Sequence, residues 1–286
     1  MHRITDRTQK TRVKAPRLAA ALALALLATA PAAAAERLAV PVSDPNRPVT
    51  LRAGGLQAGF TVEGYDGQEV IVEMEAGDPA ERDRHGRHGS DSEPPPGMRR
   101  LPNAGFGLTV EEKDNVVEVD LEGHNPARVH IRVPRNTSVR LKTVNGGDLV
   151  VRGVTGEHEI ENVNGGITAE DVTGSLVAHT TNGAVTVTLS RIEPGKPMSF
   201  VSFNGDVDVT FPAGLAADLA LRSDNGEVYT DFDVDLAATG PVKKEERKGG
   251  SYRVSLERTL EAQVGGGGAE ITLRTFNGDV YVRQGR

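Results

Sequence analysis

Three acids share one position relative to a recurring dipeptide. Asp206, Glu227 and Asp279 each stand two residues beyond the asparagine of an Asn-Gly pair, and Asp148 lies close to the same place. Carboxylates in a row could hold calcium through oxygen ligands, or supply the acid and base of glycan cleavage, as in glycan-cleaving β-helices. The plainer reading is a set of solvated turn acids. Calcium-binding repeats carry GGxGxDxUx in tandem, which this chain lacks, and stacked like charges repel unless a cation bridges them or they splay apart.

The other chemistry-bearing residues are weaker candidates. His85 and His88 lie at i, i+3 near Asp83 and Asp91, in a charged, Gly-rich stretch that reads as a solvated loop. His124, His130, His158 and His179 are scattered, with no Cys and no HExxH pattern to make a zinc site. Gly265 to Gly268 is not followed by the Lys-Ser/Thr of a phosphate loop. Single serines lack a GxSxG context, and no nucleophile–base pair can be proposed. The expectation is a chain that is not an enzyme, with no catalytic, cofactor-binding or metal-binding residues and no cofactor.

The Asn-Gly pairs are the stronger signal. They occur at Asn145-Gly146, Asn164-Gly165, Asn182-Gly183, Asn204-Gly205, Asn225-Gly226 and Asn277-Gly278, separated by 19, 18, 22, 21 and 52 residues. The last gap has room for one or two further turns and an insertion. Two residues before each asparagine stands a small polar residue: Thr143, Asn162, Thr180, Ser202, Ser223 and Thr275. Four before it comes an apolar residue: Leu141, Ile160, Ala178, Phe200, Leu221 and Leu273. Three after it come Ile167, Val185, Val207, Val228 and Val280, with Leu149 in that role in the first copy because of the extra Gly147. Alternation with period two on both sides of a bend reads as two short strands with one buried face. Asn and Gly tolerate positive φ, so the pair marks a fixed bend.

A self-similar period near 20 residues is the sign of stacked repeats, in which neighbours complete each other's core and like residues form columns. The expected fold is therefore all-β, a β-solenoid or β-helix-like stack with Asn-Gly bends. The alternative is an antiparallel meander or sandwich, because Asn-Gly between alternating runs is also a hairpin signal. The retained register on both sides of every bend favours the stack.

Residues 51–75 and 105–123 read as two related strand–turn–strand units: Gly59 to Glu63 resembles Gly107 to Glu111, each followed by a turn and a second strand. Together with the strand Val129 to Val133 they would form the N-terminal units. Residues 77–104, rich in charge and carrying Pro94 to Pro96, read as a disordered insertion. Residues 239–250, with Lys243 to Lys248, read as a polar loop, and Val264 to Gly268 as a tight connection into the last unit.

Residues 1–35 have the order of a secretory signal: six bases against Asp6, then an uncharged run from Leu18 to Ala30, then Ala32 to Ala35, with cleavage between Ala35 and Glu36. Residues 36–50 would be a linker and 51–286 the β-repeat domain. Removing six bases and one acid takes the formal charge from −7 to −12, a poor match for nucleic acid or anionic lipid. No cysteine is present to carry a lipid or form a disulfide. Four Tyr, seven Phe and no Trp offer few platforms for sugar-cleaving chemistry. The expected location is outside the cytoplasm, in the periplasm or at the cell surface, with no transmembrane segment after cleavage.

Taken together, the leader, the degenerate strand pairs, the repeated T-x-N-G-x-[IV], Val264 to Gly268 and the closing Leu273-Arg-Thr-Phe-Asn-Gly-Asp-Val-Tyr-Val resemble the bacterial putative-adhesin family of unknown function, related to the head GIN domain proteins. The resemblance covers roughly residues 50–286. It implies a β-solenoid-like fold and an exported or envelope-associated protein that contacts an envelope glycan or protein. An envelope-stress accessory role without a small ligand is the other non-catalytic expectation. The family brings no catalytic or binding residues to carry over.

Overall fold

The structure is a computed structural model that describes residues 36–76, 107–122, 127–236, 242–248, 251–257 and 259–285. The expected leader through Ala35, the insertion 77–104, and His85, His88 and His124 lie outside these residues. Among the described residues the chain is all-β, with no helix, and no helix there is long and apolar enough to cross a membrane.

The N-terminal strands are β1 (Glu36–Pro41), β2 (Val49–Gly55), β3 (Ala58–Tyr65), β4 (Glu69–Ala76), β5 (Gly107–Lys113), β6 (Val116–Glu122) and β7 (Ala127–Pro134). The repeat follows as β8 (Thr137–Thr143), β9 (Leu149–Arg152), β10 (Thr155–Asn164), β11 (Ile167–Asn182), β12 (Val185–Ile192), β13 (Met198–Asn204), β14 (Val207–Phe211), β15 (Ala217–Asn225) and β16 (Val228–Thr230). The chain ends with β17 (Asp235–Leu236), β18 (Val242–Lys248), β19 (Ser251–Glu257), β20 (Leu260–Val264), β21 (Ala269–Asn277) and β22 (Val280–Gln284).

The two strands beside an Asn-Gly bend do not fold back on each other as a hairpin. Each pairs in parallel with its counterpart in the neighbouring units, so the antiparallel meander is not the arrangement of the repeat. One ladder runs β6, β2, β8, β10, the second part of β11, β13, β21 and β15. The other runs β7, β3, β9, the first part of β11, β12, β14, β22 and β16. The inward residues of both ladders make the core. A small residue meets a large one where Ala178 pairs with Phe200, and Phe200 meets Phe211 edge to face at 6.1 Å.

The stacking order differs from the chain order at both ends. The β2–β3 unit sits between β6–β7 and β8–β9, and the β21–β22 unit between β13–β14 and β15–β16. The unit last in sequence is therefore interior to the stack. The long gap before Asn277 holds no further repeat unit among the described residues. It supplies β20, which pairs antiparallel with β15, β17, which pairs antiparallel with β20, and the separate β18–β19 hairpin. Residues 242–248 are thus a strand and not part of a loop. Their charge does not prevent a backbone ladder, and the following Tyr252, Val254, Leu256 alternation is a strand pattern.

The other end is covered by β5 on β6 and by β4 and β1 beyond β7, all antiparallel. Residues 36–50 are therefore no linker: β1 adds to β4, Arg37 meets Glu73 at 3.5 Å, and the Ser43 and Asp44 amides are held by Glu112 and Asn115. The two N-terminal units that look alike in sequence fold differently. β5 and β6 form a hairpin whose turn residues Asp114 and Asn115 both have positive φ, 54° and 65°, the demand of a type I′ turn. β3 and β4 are instead separated by β7, which pairs with both.

Candidate functional site

The bend edge gathers the repeated residues into rows. Thr143, Asn162, Thr180, Ser202, Thr275 and Ser223 point inward beside the bends. Thr180, Ser202, Thr275 and Ser223 donate to the carbonyl oxygens of Gly165, Gly183, Gly205 and Gly278 at 2.7–2.8 Å. Thr143 donates to Gly55 and Ala58, and Asn162, facing the bend lengthened by Gly147, reaches the Gly147 oxygen at 2.8 Å. A bend carbonyl beside the core needs a donor, which explains why this row is always a small polar residue.

The asparagines form a ladder of their own. Each Nδ2 donates to the Oδ1 of the previous rung, from Asn164 to Asn145 (2.6 Å), Asn182 to Asn164 (2.8 Å), Asn204 to Asn182 (2.8 Å), Asn277 to Asn204 (2.7 Å) and Asn225 to Asn277 (3.1 Å). A side-chain amide carries both the donor and the acceptor that such a row needs. None of these asparagines has positive φ; Gly165, Gly183, Gly205 and Gly278 carry it, at 143–155°. A Cβ on any of these glycines would also collide with the carbonyl of the preceding unit.

Three members of the acid row are engaged with the backbone, and the fourth, Glu227, is exposed and enters only through its own amide. Asp148 accepts from Gly166 N at 2.7 Å, Asp206 from Asp279 N at 2.8 Å, and Asp279 from Glu227 N at 2.9 Å, with Tyr281 Oη on its second oxygen at 3.0 Å. These carboxylates cap the amides of the next unit. Among the described residues, no group of three or more His, Asp or Glu is placed to hold a metal ion. The three described histidines do not converge: His158 is buried, His179 Nε2 lies 2.9 Å from Ser199 Oγ, and His130 Nε2 lies 3.1 Å from Glu63 without hydrogen-bond geometry.

Beside the asparagines runs a row that sequence reasoning missed. The residue preceding each asparagine points outward, and the paired register aligns Leu56, Val144, Val163, Thr181, Phe203 and Phe276 before the row ends at Asp224. Leu56 is 55% exposed and Phe203 49%, and Phe203 stacks on Phe276 at 4.7 Å and 4°. On the far side of the bend, Tyr229 stacks on Tyr281 at 5.2 Å. Only the units of Asn204 and Asn277 have Phe before the asparagine, and only those of Asn225 and Asn277 have Tyr four after it. That was a legible sign that the Asn277 unit neighbours both others.

No known family and no curated protein matches this sequence. Two solved structures resemble its fold at a distance. One is a putative cell adhesion protein from Clostridium sporogenes ATCC 15579, at 11% identity and a TM-score of 0.46, covering 88% of this chain and 100% of that one. The other is a putative adhesin from Bacteroides fragilis NCTC 9343, at 11% identity and a TM-score of 0.27, covering 89% and 98%. At these scores neither carries an argument for this chain.

Among the described residues, shallow depressions lie away from the bends on the outer face of the first ladder. One, of about 380 Å³, is lined by alternating charges that pair across strands, Arg52 with Glu118 at 2.9 Å and Lys142 with Glu161 at 2.7 Å. Another, of about 530 Å³, lies over β15, β20 and β17 and is lined by Asp218, Asp235, Glu261 and Glu270. Asp218 there accepts from Gln263 Nε2 and Gly268 N.

Proposed function

We propose that this protein is an exported, non-catalytic β-solenoid of the putative-adhesin kind, a rigid scaffold in the periplasm or at the cell surface that holds an envelope glycan or protein along its bend edge. One observation carries the reading: exposed Leu56, Val163, Phe203 and Phe276, in line with the half-buried Val144 and with Thr181, run beside a ladder of amide side chains across consecutive units. An extended polymer can lay apolar groups on the row and hydrogen-bond the amides, and a stack pre-organises that surface at little entropic cost. The formal charge of −7, or −12 once the leader is removed, disfavours nucleic acid as the polymer. Three of the four carboxylates that could have served sugar cleavage, Asp148, Asp206 and Asp279, are occupied by backbone amides, which supports binding over turnover.

The test is co-pelleting of the purified protein with sacculi and with outer membrane, separately, alongside a Phe203→Ser/Phe276→Ser variant. The expected result is saturable pelleting with one fraction, weakened in the variant. Folded protein that pellets with neither fraction would sink envelope binding, and pelleting untouched by the variant would sink the bend edge as its site.

A further inference from the structure

The six Asn-Gly pairs are chemically alike and structurally unlike, and the difference matters for a reaction that Asn-Gly undergoes without a catalyst. The backbone nitrogen of the glycine attacks the asparagine Cγ, the new N–Cγ bond closes a succinimide, the Cγ–Nδ2 bond breaks, and the displaced amide nitrogen leaves as ammonia with the glycine's proton. Water then opens the ring at either carbonyl to give aspartate or isoaspartate. One water is consumed and one ammonia released. The reaction needs the glycine nitrogen free of other partners and the asparagine free to turn toward it.

Three of the six pairs are pinned. Gly165 N donates to Asn182 O at 2.8 Å, Gly183 N to Asn204 O at 2.9 Å and Gly205 N to Asn277 O at 2.8 Å. The side chains of Asn164, Asn182 and Asn204 each donate to one neighbour and accept from the other. The ladder ends are different. Asn145 only accepts, Asn225 only donates, and neither Gly146 N nor Gly226 N has a hydrogen-bond partner among the described residues. Asn277 is intermediate: its amide is engaged on both sides, but Gly278 N has no such partner.

We propose that Asn145 and Asn225, the two ends of the asparagine ladder, are the sites at which this protein deamidates, and that Asn164, Asn182 and Asn204 are protected by the stack. The two sites have different consequences. Where the ring opens to aspartate, a carboxylate at 145 still accepts from Asn164 Nδ2, so the ladder survives. A carboxylate at 225 can no longer donate to Asn277 Oδ1, and it arrives between Asp224 and Glu227. Reaction at Asn225 therefore loosens the unit of β15 and β16 whichever way its ring opens.

The experiment incubates the purified full chain at mildly alkaline pH, folded and in urea, and follows each of the six sites by peptide mapping and mass spectrometry with isoaspartate detection. In urea the six pairs should convert at similar rates. In folded protein Asn145 and Asn225 should convert on the order of tenfold or more faster than the three pinned sites, the protection that one retained hydrogen bond gives. Pinned sites converting as fast as the ends, or ends as inert as the pinned sites, would overturn the proposal.

Discussion

His158 stands in a row otherwise filled by Val139, Leu176 and Met198, and it is buried. Its Nδ1 accepts from Val139 N at 3.3 Å and its Nε2 lies 3.4 Å from Thr173 O, a set of partners that suits the neutral ring. Burial pushes its pKa down to about 4, with the Thr173 carbonyl and Glu157 opposing the shift. The unfolded chain therefore takes up this proton first as pH falls. The stability due to the neutral ring is complete above about pH 6.5 and is lost progressively between there and about pH 4, at most about 3 kcal/mol. Urea unfolding of the native protein and of His158→Leu at pH 7 and pH 5 should show a smaller acid loss in the variant; equal losses would remove His158 as a cause. The inward hydroxyls make a second residue-scale case. Thr275→Val keeps the shape but leaves the Gly205 carbonyl without its donor, and should cost about 1–3 kcal/mol by the same measurement. A neutral substitution would mean that water replaces the hydroxyl.

At the scale of elements, the bends set how closely units approach. A Cβ on Gly205 would run into the carbonyl group of Gly183 and into Ala184 N, at a φ of 147° that side chains avoid. Gly205→Ala should cost about 2–4 kcal/mol by chemical unfolding. Gly214→Ala, where a Cβ meets open space, should stay within about 0.5 kcal/mol. Equal effects would mean that the bends are not held by close approach. The strands and their inward faces were legible because alternation is local: Leu141, Thr143 and Leu149 show their faces without reference to any neighbour. The small polar row was legible because the same carbonyl needs the same donor in every unit. Order was harder to read, because periodicity is blind to it and only the Phe before Asn204 and Asn277 and the Tyr after Asn225 and Asn277 mark the Asn277 unit as the neighbour of both. The outward row from Leu56 to Phe276 escaped notice because outward positions vary freely in type, and only the register puts them in line. The charge of Lys243 to Lys248 masked a strand for a related reason, since backbone pairing does not depend on side-chain charge.

At the scale of the molecule, a stack in which each unit touches only its neighbours should not be equally stable along its length. The interior units from β8 to β14 are paired on both sides, and their inward residues Leu149, Ile167, Val185 and Val207 are fully buried. The equivalent Val228 in the end unit is only partly buried, and its strand β16 has three residues and one partner. β17, at the end of the other ladder, has two residues. Short terminal strands limit edge-to-edge association, yet they also leave the end unit with the fewest bonds to break. Native-state hydrogen exchange should therefore show the strongest amide protection from β8 to β14 and the weakest at β5, β16 and β17, with the β21–β22 unit on the protected side despite its place at the end of the chain. That last comparison is the discriminating one. If protection followed chain order, with β22 exchanging as fast as β16, the insertion of the last unit between β13–β14 and β15–β16 would be wrong. If all units exchanged together at one rate, the stack would open only as a whole, and coupling between neighbours would exceed the difference between its middle and its ends.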